Sequence, residues 1–314
     1  MNNPLIVLVG PTAVGKTAFS LKAAEAFPIE IISGDSVQVY RGMDVGSAKA
    51  SPAERAVVPH HMIDVLDPDE PFTVADFKAS VEALIRDIQS RGRLPMIVGG
   101  TGLYIESVVY DYRFPEAVAD EAARERWSRL ADERGSAALH ELLRERDPAS
   151  AARIHPNDRK RLVRALEVID ATGRPLSEQS EKRSKRSPYD LCMIGLTMER
   201  ELLYERINRR VDAMLQEGLI DEVRGLLARG CDRSLPSMQA IGYKEIAAYL
   251  AGETSLEEAV YQLKRNTRHF AKRQLSWFRA MPQIRWVDVT DAANFITHSE
   301  RINDIISTMF QSTE

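Results

Sequence analysis

The chain has 314 residues, enough to bury a large core in one big domain or in two. Its composition, 44% hydrophobic and 28% charged, is ordinary for a globular protein, and no apolar run reaches the length of a membrane span. The net charge of −4 is small and two cysteines are too few for a disulfide framework or a zinc site, so we expect a cytoplasmic protein without membrane contact.

The first hundred residues alternate short apolar runs with longer amphipathic segments. This alternation predicts strands joined by helical crossovers, and therefore a parallel α/β sheet flanked by helices. The predicted strands are 5–9, 29–33, 60–66 and 94–100, and the predicted helices are 16–27 and 73–91, the second with Thr73 as its N-cap and Asp76 three residues on.

The composition changes after residue 113. Residues 114–187 are charged and rich in alanine and arginine, which predicts helices, and they include a polar, basic segment at 177–188 that we expect to be flexible. The run YDLCMIGLTM at 189–198 predicts a return to the sheet, and mostly helical sequence follows. We therefore predict a core domain of residues 1–113 and 188–314 with a helical C-terminal part, interrupted by a helical insertion domain of residues 114–187.

The segment GPTAVGKT fits the pattern G-x-x-x-x-G-K-[ST] between a predicted strand and a predicted helix. In such a loop the backbone N–H groups and the helix N-terminus attract phosphate oxygens, Lys16 adds a point charge, and the Thr17 hydroxyl can bind Mg²⁺. The core is therefore predicted to be P-loop NTPase-like. The predicted phosphate-binding residues are Gly10, Pro11, Thr12, Ala13, Val14, Gly15, Lys16 and Thr17.

Two polar residues follow the ends of other predicted strands. Because ligands of such sheets lie beyond the carboxyl ends of the strands, Gly10, Asp35 and Thr101 are expected to lie together. An NTPase needs a carboxylate after a second hydrophobic strand to hold Mg²⁺, and the segment MIVGGTGLY offers none. Asp35 precedes Ser36 and Gln38, which could hydrogen-bond to a base, and it suits a general base better than a metal ligand.

Positive charge is concentrated in two segments. Residues 259–287 contain seven lysines and arginines and no acidic residue, and residues 153–186 contain ten basic and five acidic residues. The rest of the chain is strongly acidic. Either segment alone is compatible with an ordinary solvated face, but two of them in an acidic chain favour a polyanionic partner.

Six segments follow one another between Gly10 and Arg279: GPTAVGKT, GDSVQVYRGMDVGSAK, GGTGLY, HPNDRKRLVRALEV, QAIGYKE and TRHFAKRQLSWFR. In this order they resemble the bacterial tRNA dimethylallyltransferases of the tRNA isopentenyltransferase family. The resemblance extends over most of the chain, and six ordered motifs are far more specific than any one of them.

The resemblance implies that the Gly-rich loop grips the diphosphate of dimethylallyl diphosphate and that no phosphoryl group is transferred. The prenyl C1 atom would go to N6 of the adenine on the 3′ side of the anticodon, and pyrophosphate would leave. Asp35 would accept the N6 proton, and Thr101 would hydrogen-bond near the leaving oxygen. Lys16, Mg²⁺ on Thr17 and Arg210 would stabilise the charge on the leaving group.

The same resemblance implies contacts with the tRNA anticodon stem-loop, whose target base must leave its stack. The protein is expected to act as a monomer. The implied tRNA contacts are Asp35, Ser36, Val37, Gln38 and Thr101 around the adenine; Arg124, Lys160, Arg161, Leu162, Val163 and Arg164 in the insertion; and Gln239, Ala240, Ile241, Gly242, Tyr243, Lys244, Lys272 and Arg273 in the C-terminal part.

Two other enzyme classes share some of these features. A small-molecule kinase would use the same loop and turn over ATP, but the two basic segments would then have no role. An adenylate isopentenyltransferase would perform the same chemistry on a free nucleotide, which requires neither a basic helical insertion nor a basic C-terminal helix. A purely RNA-binding protein would leave the loop and Asp35 unexplained.

Overall fold

The computed structural model describes residues 3–112, 120–179 and 186–311. Its contacts divide the chain into two compact units, one made of residues 1–111 and 187–314 and the other of residues 112–186. The sequence analysis put the corresponding boundaries after residues 113 and 187. The predicted start of the insertion at residue 114 and the centre of the polar segment 177–188 lie outside the described residues.

In the described residues of the first unit there are six strands: β1 (Pro4–Val9), β2 (Ile29–Gly34), β3 (His60–His61), β4 (Leu94–Gly99), β5 (Asp190–Thr197) and β6 (Arg285–Asp288). All pairings are parallel, in the order β3-β2-β4-β1-β5-β6. Almost every residue of β1, β2 and β4 is buried, as expected where helices cover both faces of a parallel sheet. The predicted α/β fold is confirmed.

The described helices include the two that the sequence predicted early in the chain. At the start of the helix Val74–Ser90 the Thr73 hydroxyl accepts from the Asp76 N–H, and the Asp76 carboxylate accepts from the Thr73 N–H at 2.8 Å, the expected capping box. None of the helices in the described ranges is both long and apolar enough to cross a membrane. In chain order they are α1 (Lys16–Ala26), α2 (Pro52–Val57), α3 (Val74–Ser90), α4 (Gly102–Val109), α5 (Glu121–Arg146), α6 (Pro148–Ala151), α7 (Arg159–Thr172), α8 (Leu176–Gln179), α9 (Arg200–Gln216), α10 (Leu219–Ala228), α11 (Tyr243–Leu250), α12 (Leu256–Arg279) and α13 (Phe295–Gln311).

Two strand predictions differ from the structure. The segment 60–66 was expected to be one strand, but only His60–His61 pairs with β2. Met62 and Asp64 have φ angles of 60° and 56°, so the backbone leaves the extended conformation, and Leu66 makes only an isolated bridge with Tyr40. The sequence analysis also missed β6, in which two apolar residues lie between two charged ones and which pairs only with β5.

The second unit consists of α5 to α8. An apolar core joins α5 to α7, and it includes Leu139, Leu143, Leu162 and Leu166, each fully buried. Helix α5 is interrupted at Gly135, whose φ of 79° lies outside the helical region. The buried stripe of α7 leaves its opposite face, which carries Lys160 and Arg161, exposed.

Candidate active site

The Gly-rich loop lies between the central strand β1 and helix α1. Gly15 is the N-cap of α1 with a φ of 109°, and Ala13 has a φ of 66°, so the loop turns sharply before the helix begins. The Lys16 ammonium folds back over the loop and donates to the carbonyl oxygens of Gly10 at 3.1 Å and Pro11 at 2.9 Å. The positive end of α1 and the lysine charge therefore meet at the same place, which favours an anion there.

The loop forms one wall of a cavity of about 310 Å³. The ends of β1, β2 and β4 converge on this cavity, as the sequence predicted for a parallel sheet. Its polar lining consists of Thr12, Lys16, Thr17, Ser20, Ser33, Asp35, Gln38, Ser47, Glu54, His60, Arg206, Arg210 and Gln274.

A close approach of two glycines brings the β2 and β4 loops together. A Cβ atom on Gly99 would lie only 2.4 Å from the backbone of Gly34, so the end of β4 does not tolerate a side chain there. Just beyond this contact, the Thr101 N–H donates to the Gly34 carbonyl at 3.2 Å, and the Thr101 hydroxyl accepts from the Ser36 N–H at 3.1 Å. Thr101 is thereby fixed next to the turn that contains Asp35.

The Asp35 carboxylate is held by one of its two oxygens. Its Oδ1 atom accepts from the N–H groups of Val37 at 2.8 Å and Gln38 at 3.4 Å, whereas Oδ2 has no hydrogen-bond partner in the part of the chain that the structure describes. Desolvation raises the pKa of Asp35, and the N–H of Val37 and the charge of Lys16 oppose that rise. A fixed carboxylate with a free oxygen and a raised pKa is suited to accept a proton.

Three positive side chains surround the same space. Desolvation and the neighbouring Arg210 lower the pKa of Lys16 to about 7, although Asp35 acts in the opposite direction. Desolvation and Arg206 in turn lower the pKa of Arg210, which donates from Nη1 to the Thr12 hydroxyl at 3.3 Å. Burial and the closeness of like charges disfavour the charged forms of these side chains, and a bound polyanion would stabilise those forms.

Sequence reasoning missed Gln274, which connects two walls of the cavity. Its side chain is buried, accepts from the Thr12 N–H at 2.8 Å and donates to the Gly100 carbonyl at 3.0 Å. A Cβ atom on Gly100 would lie 2.0 Å from the Gln274 Nε2 atom. The available signal was periodicity, because Gln274 is the one amide on the buried stripe of α12, which otherwise comprises Ala259, Leu263, Ala271 and Phe278.

Several of the predicted tRNA contacts prove to be buried. Leu162 and Val163 face the core of the second unit, and Tyr243 is completely buried against Gly46, so their side chains cannot form an RNA-binding surface. Gly242 is also buried, as the N-cap of α11. The implied segment 239–244 therefore presents mainly Gln239 and Lys244 to solvent.

Three of the four predicted basic contacts of the second unit are already paired with an acid. Arg124 and Arg164 each contact the buried Glu167 at 2.9 Å, while about half of each arginine side chain stays exposed. Arg161 lies 3.4 Å from Asp158, and Lys160 is exposed without an ion pair among the described residues. On α12 of the first unit, Lys272 and Arg273 are exposed and likewise lack an ion pair within the described ranges. The number of basic residues in the sequence did not distinguish cations that are paired with an acid from cations that are not.

The residues around Thr17 were tested against the expected Mg²⁺ ion. The described ranges contain no group of three or more histidine, cysteine or acidic residues able to hold a metal by themselves. Thr17 and Glu54 nevertheless line the cavity and supply hard oxygen donors of the kind that Mg²⁺ prefers. This set fits an ion bound mainly through a phosphorylated substrate, with few protein ligands.

A parallel sheet with a Gly-rich loop at a helix N-terminus and an adjacent carboxylate is typical of α/β enzymes that act on phosphorylated ligands. Family models described as "IPP transferase" and "Isopentenyl transferase" match residues 38–281 and 3–63. The tRNA dimethylallyltransferase of Geobacillus thermodenitrificans is 52% identical over 302 residues, covering 96% of both chains, and that of Symbiobacterium thermophilum is 56% identical, covering 92% of this chain and 91% of the relative.

Solved structures agree with these matches. The full-length tRNA isopentenylpyrophosphate transferase of Bacillus halodurans is 48% identical, with a TM-score of 0.76 and coverage of 99% of this chain and 98% of that one. A eukaryotic dimethylallyltransferase acting on tRNA is 28% identical, with a TM-score of 0.83 and coverage of 99% and 80%. The chain therefore belongs to the tRNA dimethylallyltransferase family of prenyltransferases.

Proposed function

We propose that the protein transfers the dimethylallyl group of dimethylallyl diphosphate to N6 of the adenine on the 3′ side of the anticodon of tRNA, with release of pyrophosphate. The observation that carries this proposal is the cavity itself. An electropositive Gly-rich loop and a carboxylate with a free oxygen face one space. Beyond the β4 end, where a hydrolytic enzyme would place an acid, stands Thr101, which is fixed at the turn that contains Asp35.

In the proposed reaction a bond forms between N6 and the prenyl C1 while the bond from C1 to the diphosphate oxygen breaks. The N6 proton goes to Asp35, and the electron pair of the broken bond leaves with pyrophosphate. Lys16 and Arg210 bind the diphosphate and stabilise the charge that builds up on it. The Thr101 hydroxyl, fixed beside Asp35, hydrogen-bonds near the leaving oxygen.

Mg²⁺ is part of the proposal. The Thr17 hydroxyl would bind an ion carried by the diphosphate, and such an ion would further neutralise the leaving group. For the RNA, we propose that the exposed cations of α12 and α7 contact phosphates of the anticodon stem-loop. The turn at 35–38 would surround the flipped adenine, in a protein that acts as a monomer in the cytoplasm.

The direct test is to incubate the protein and Mg²⁺ with labelled dimethylallyl diphosphate and, in separate reactions, tRNA, AMP or ATP. We expect label in tRNA alone, at an adenine next to the anticodon, together with one pyrophosphate per label. Label in AMP or ATP would instead identify an adenylate isopentenyltransferase. Turnover of ATP without any prenyl transfer would identify a kinase.

A further inference from the structure

The loop of residues 44–48, which belongs to the motif GDSVQVYRGMDVGSAK, is anchored by a carboxylate that lies far away in the sequence. Glu222 of α10 accepts through Oε2 from the N–H groups of Asp44 at 2.9 Å and Val45 at 2.8 Å, and through Oε1 from the N–H of Gly46 at 3.0 Å. Three successive N–H groups that converge on one anion form a backbone nest. In this protein the nest is filled by the protein's own side chain.

A fourth hydrogen bond fixes Glu222 from the other side. The Tyr243 hydroxyl donates to its Oε1 atom at 2.8 Å, and the tyrosine ring is fully buried. A Cβ atom on Gly46 would lie 2.6 Å from that ring, so loop and ring are in direct contact. Burial and the neighbouring Glu222 raise the pKa of Tyr243 well above its usual range, which keeps the hydroxyl protonated as a donor.

The anchored loop in turn holds a side chain that lines the active-site cavity. The carbonyl oxygens of Ser47 and Ala48 accept from the Gln38 Nε2 atom at 3.2 and 3.3 Å, and the Gln38 Oε1 atom accepts from the Ser33 hydroxyl at 2.8 Å. These partners fix which end of the Gln38 amide points toward the loop. Gln38 also shares the turn whose N–H groups bind Asp35.

We propose that Glu222 is a positioning residue for prenyl transfer: it fixes the 44–48 loop and, through Gln38, the wall of the cavity beside Asp35 that receives the acceptor base. This assignment rests on the proposed function for its kinetic consequence. Under this assignment, helices α10 and α11 of the C-terminal part determine the geometry of the acceptor side of the cavity. The diphosphate side, built from the Gly-rich loop, does not depend on Glu222.

The first test measures the loop itself. Glu222→Gln keeps the size of the side chain but replaces one acceptor oxygen by an NH₂ group that cannot accept from the nest. We expect amide hydrogen exchange at residues 44–46 to accelerate at least about tenfold in this variant. Asp221→Asn is the matched control: the neighbouring acid on α10 is exposed and paired with Arg224, so exchange at 44–46 should not change.

The second test measures transfer. At saturating tRNA, kcat should fall about tenfold or more in Glu222→Gln, while the affinity for Mg²⁺-pyrophosphate stays within about twofold of wild type. A double variant with Gln38→Ala should be hardly worse than the worse single variant, because both changes act through one loop. In the double variant of Asp221→Asn and Gln38→Ala, the effects of the two changes on kcat should be additive. These cycles separate positioning from general destabilisation.

Unchanged exchange at 44–46, or additive effects of Glu222→Gln and Gln38→Ala, would overturn the assignment. If Glu222→Gln does not fold, Tyr243→Phe takes its place in both tests, since it removes one of the four hydrogen bonds to Glu222 and keeps the buried ring. In Tyr243→Phe we expect exchange at 44–46 to accelerate, and kcat to fall, by about threefold or more. Should wild type fail to prenylate tRNA, the proposed function fails, and the exchange experiment alone decides the role of Glu222.

Discussion

The active-site cavity and the helical unit of residues 112–186 both contain several basic side chains. They differ in whether these side chains already contact an acid. In the cavity Lys16, Arg206 and Arg210 have no ion pair among the described residues, and two of them have lowered pKa values. In the helical unit most arginines already contact an acid. The pairs are Arg124 and Arg164 with Glu167, Arg126 and Arg146 with Asp170, Arg159 with Asp132, Arg144 with Glu141, and Arg161 with Asp158.

This difference shows that the number of basic residues in a region is a poor predictor of anion binding there. A cation that already has a carboxylate partner must lose that partner, or share it, before it gains a phosphate. Helix α12 resembles the cavity in this respect, because Arg265, Lys272, Arg273 and Arg279 have no ion pair within the described ranges. We therefore expect anion binding to follow the unpaired cations.

The largest expected effect comes from Asp35, which follows directly on the end of β2 and lines the cavity. Asp35→Asn keeps an oxygen for the Val37 N–H but cannot accept the substrate proton, so single-turnover transfer should fall about 10²- to 10⁴-fold. In wild type the rate should fall as the pH drops through the raised pKa of Asp35, because only the ionised form is a base.

The control for this variant is diphosphate binding. Mg²⁺-pyrophosphate affinity should be nearly unchanged in Asp35→Asn, since Lys16 and Arg210 remain in place. Asp67→Asn, which alters an exposed carboxylate paired with Arg41, should change neither the transfer rate nor the Mg²⁺-pyrophosphate affinity. A near-wild-type transfer rate in Asp35→Asn would remove this residue from the mechanism.

The next effect concerns the connection between the two walls of the cavity. Gln274→Leu leaves the Thr12 N–H and the Gly100 carbonyl without their partner, which costs about 1–3 kcal/mol for each buried group left unsatisfied. We expect a lower midpoint of thermal unfolding and weaker pyrophosphate binding. Gln262→Leu, on the same helix, removes two hydrogen bonds to exposed side chains, those of Glu258 and Arg265, and serves as the control. Equal stability of the two variants would contradict the structural role of Gln274.

A smaller effect should appear in the pH dependence of diphosphate affinity. The pKa of Lys16 is about 7 in the free protein, and a bound anion must raise it. The contribution of the charged lysine is therefore complete below pH 7 and is lost as the pH rises above that value. The ratio of wild-type to Lys16→Met affinity for pyrophosphate should fall about tenfold between pH 6 and pH 8. The arginine in Lys16→Arg stays charged over this range, so the ratio of Lys16→Arg to Lys16→Met affinity should not change with pH.

The parts that could be predicted from the sequence are those that local patterns determine. The phosphate loop needs glycines and a lysine at fixed spacing, the buried strands are continuous apolar runs, and the ends of parallel strands must meet. These rules were enough to bring Asp35 to the cavity beside the loop, and Thr101 lies next to the turn that contains Asp35. The segment 60–66 was misjudged because apolar content does not reveal the positive φ angles of Met62 and Asp64.

The parts that could not be predicted depend on contacts between distant segments. Gln274 lies 262 residues from Thr12, and Glu222 lies 178 residues from Asp44, so no local pattern connects them. The same holds for the paired arginines, since the sequence shows their charges but not that Glu167 is buried between Arg124 and Arg164. Burial likewise removed Tyr243 from the implied RNA surface.

The last prediction sets the two kinds of cation directly against each other. Each phosphate contact that a protein makes with RNA changes the slope of log affinity against log salt by roughly 0.7 to 0.9. Lys272→Ala/Arg273→Ala removes two unpaired cations and should flatten the slope for tRNA binding by about one to two units. Arg161→Ala/Arg164→Ala removes two paired ones, and Glu167 keeps Arg124 as its partner, so the flattening should stay below about one unit.

The measurement is tRNA binding across a salt series for wild type and both double variants, with thermal unfolding to confirm that each variant is folded. Pyrophosphate affinity should not change in either, because that site is built from the Gly-rich loop. Equal flattening in the two variants would mean that a carboxylate partner does not hinder phosphate binding, and the comparison between paired and unpaired cations would fail. An unchanged slope in both would assign all four residues to an ordinary solvated surface, and the RNA would then have to bind elsewhere on the protein.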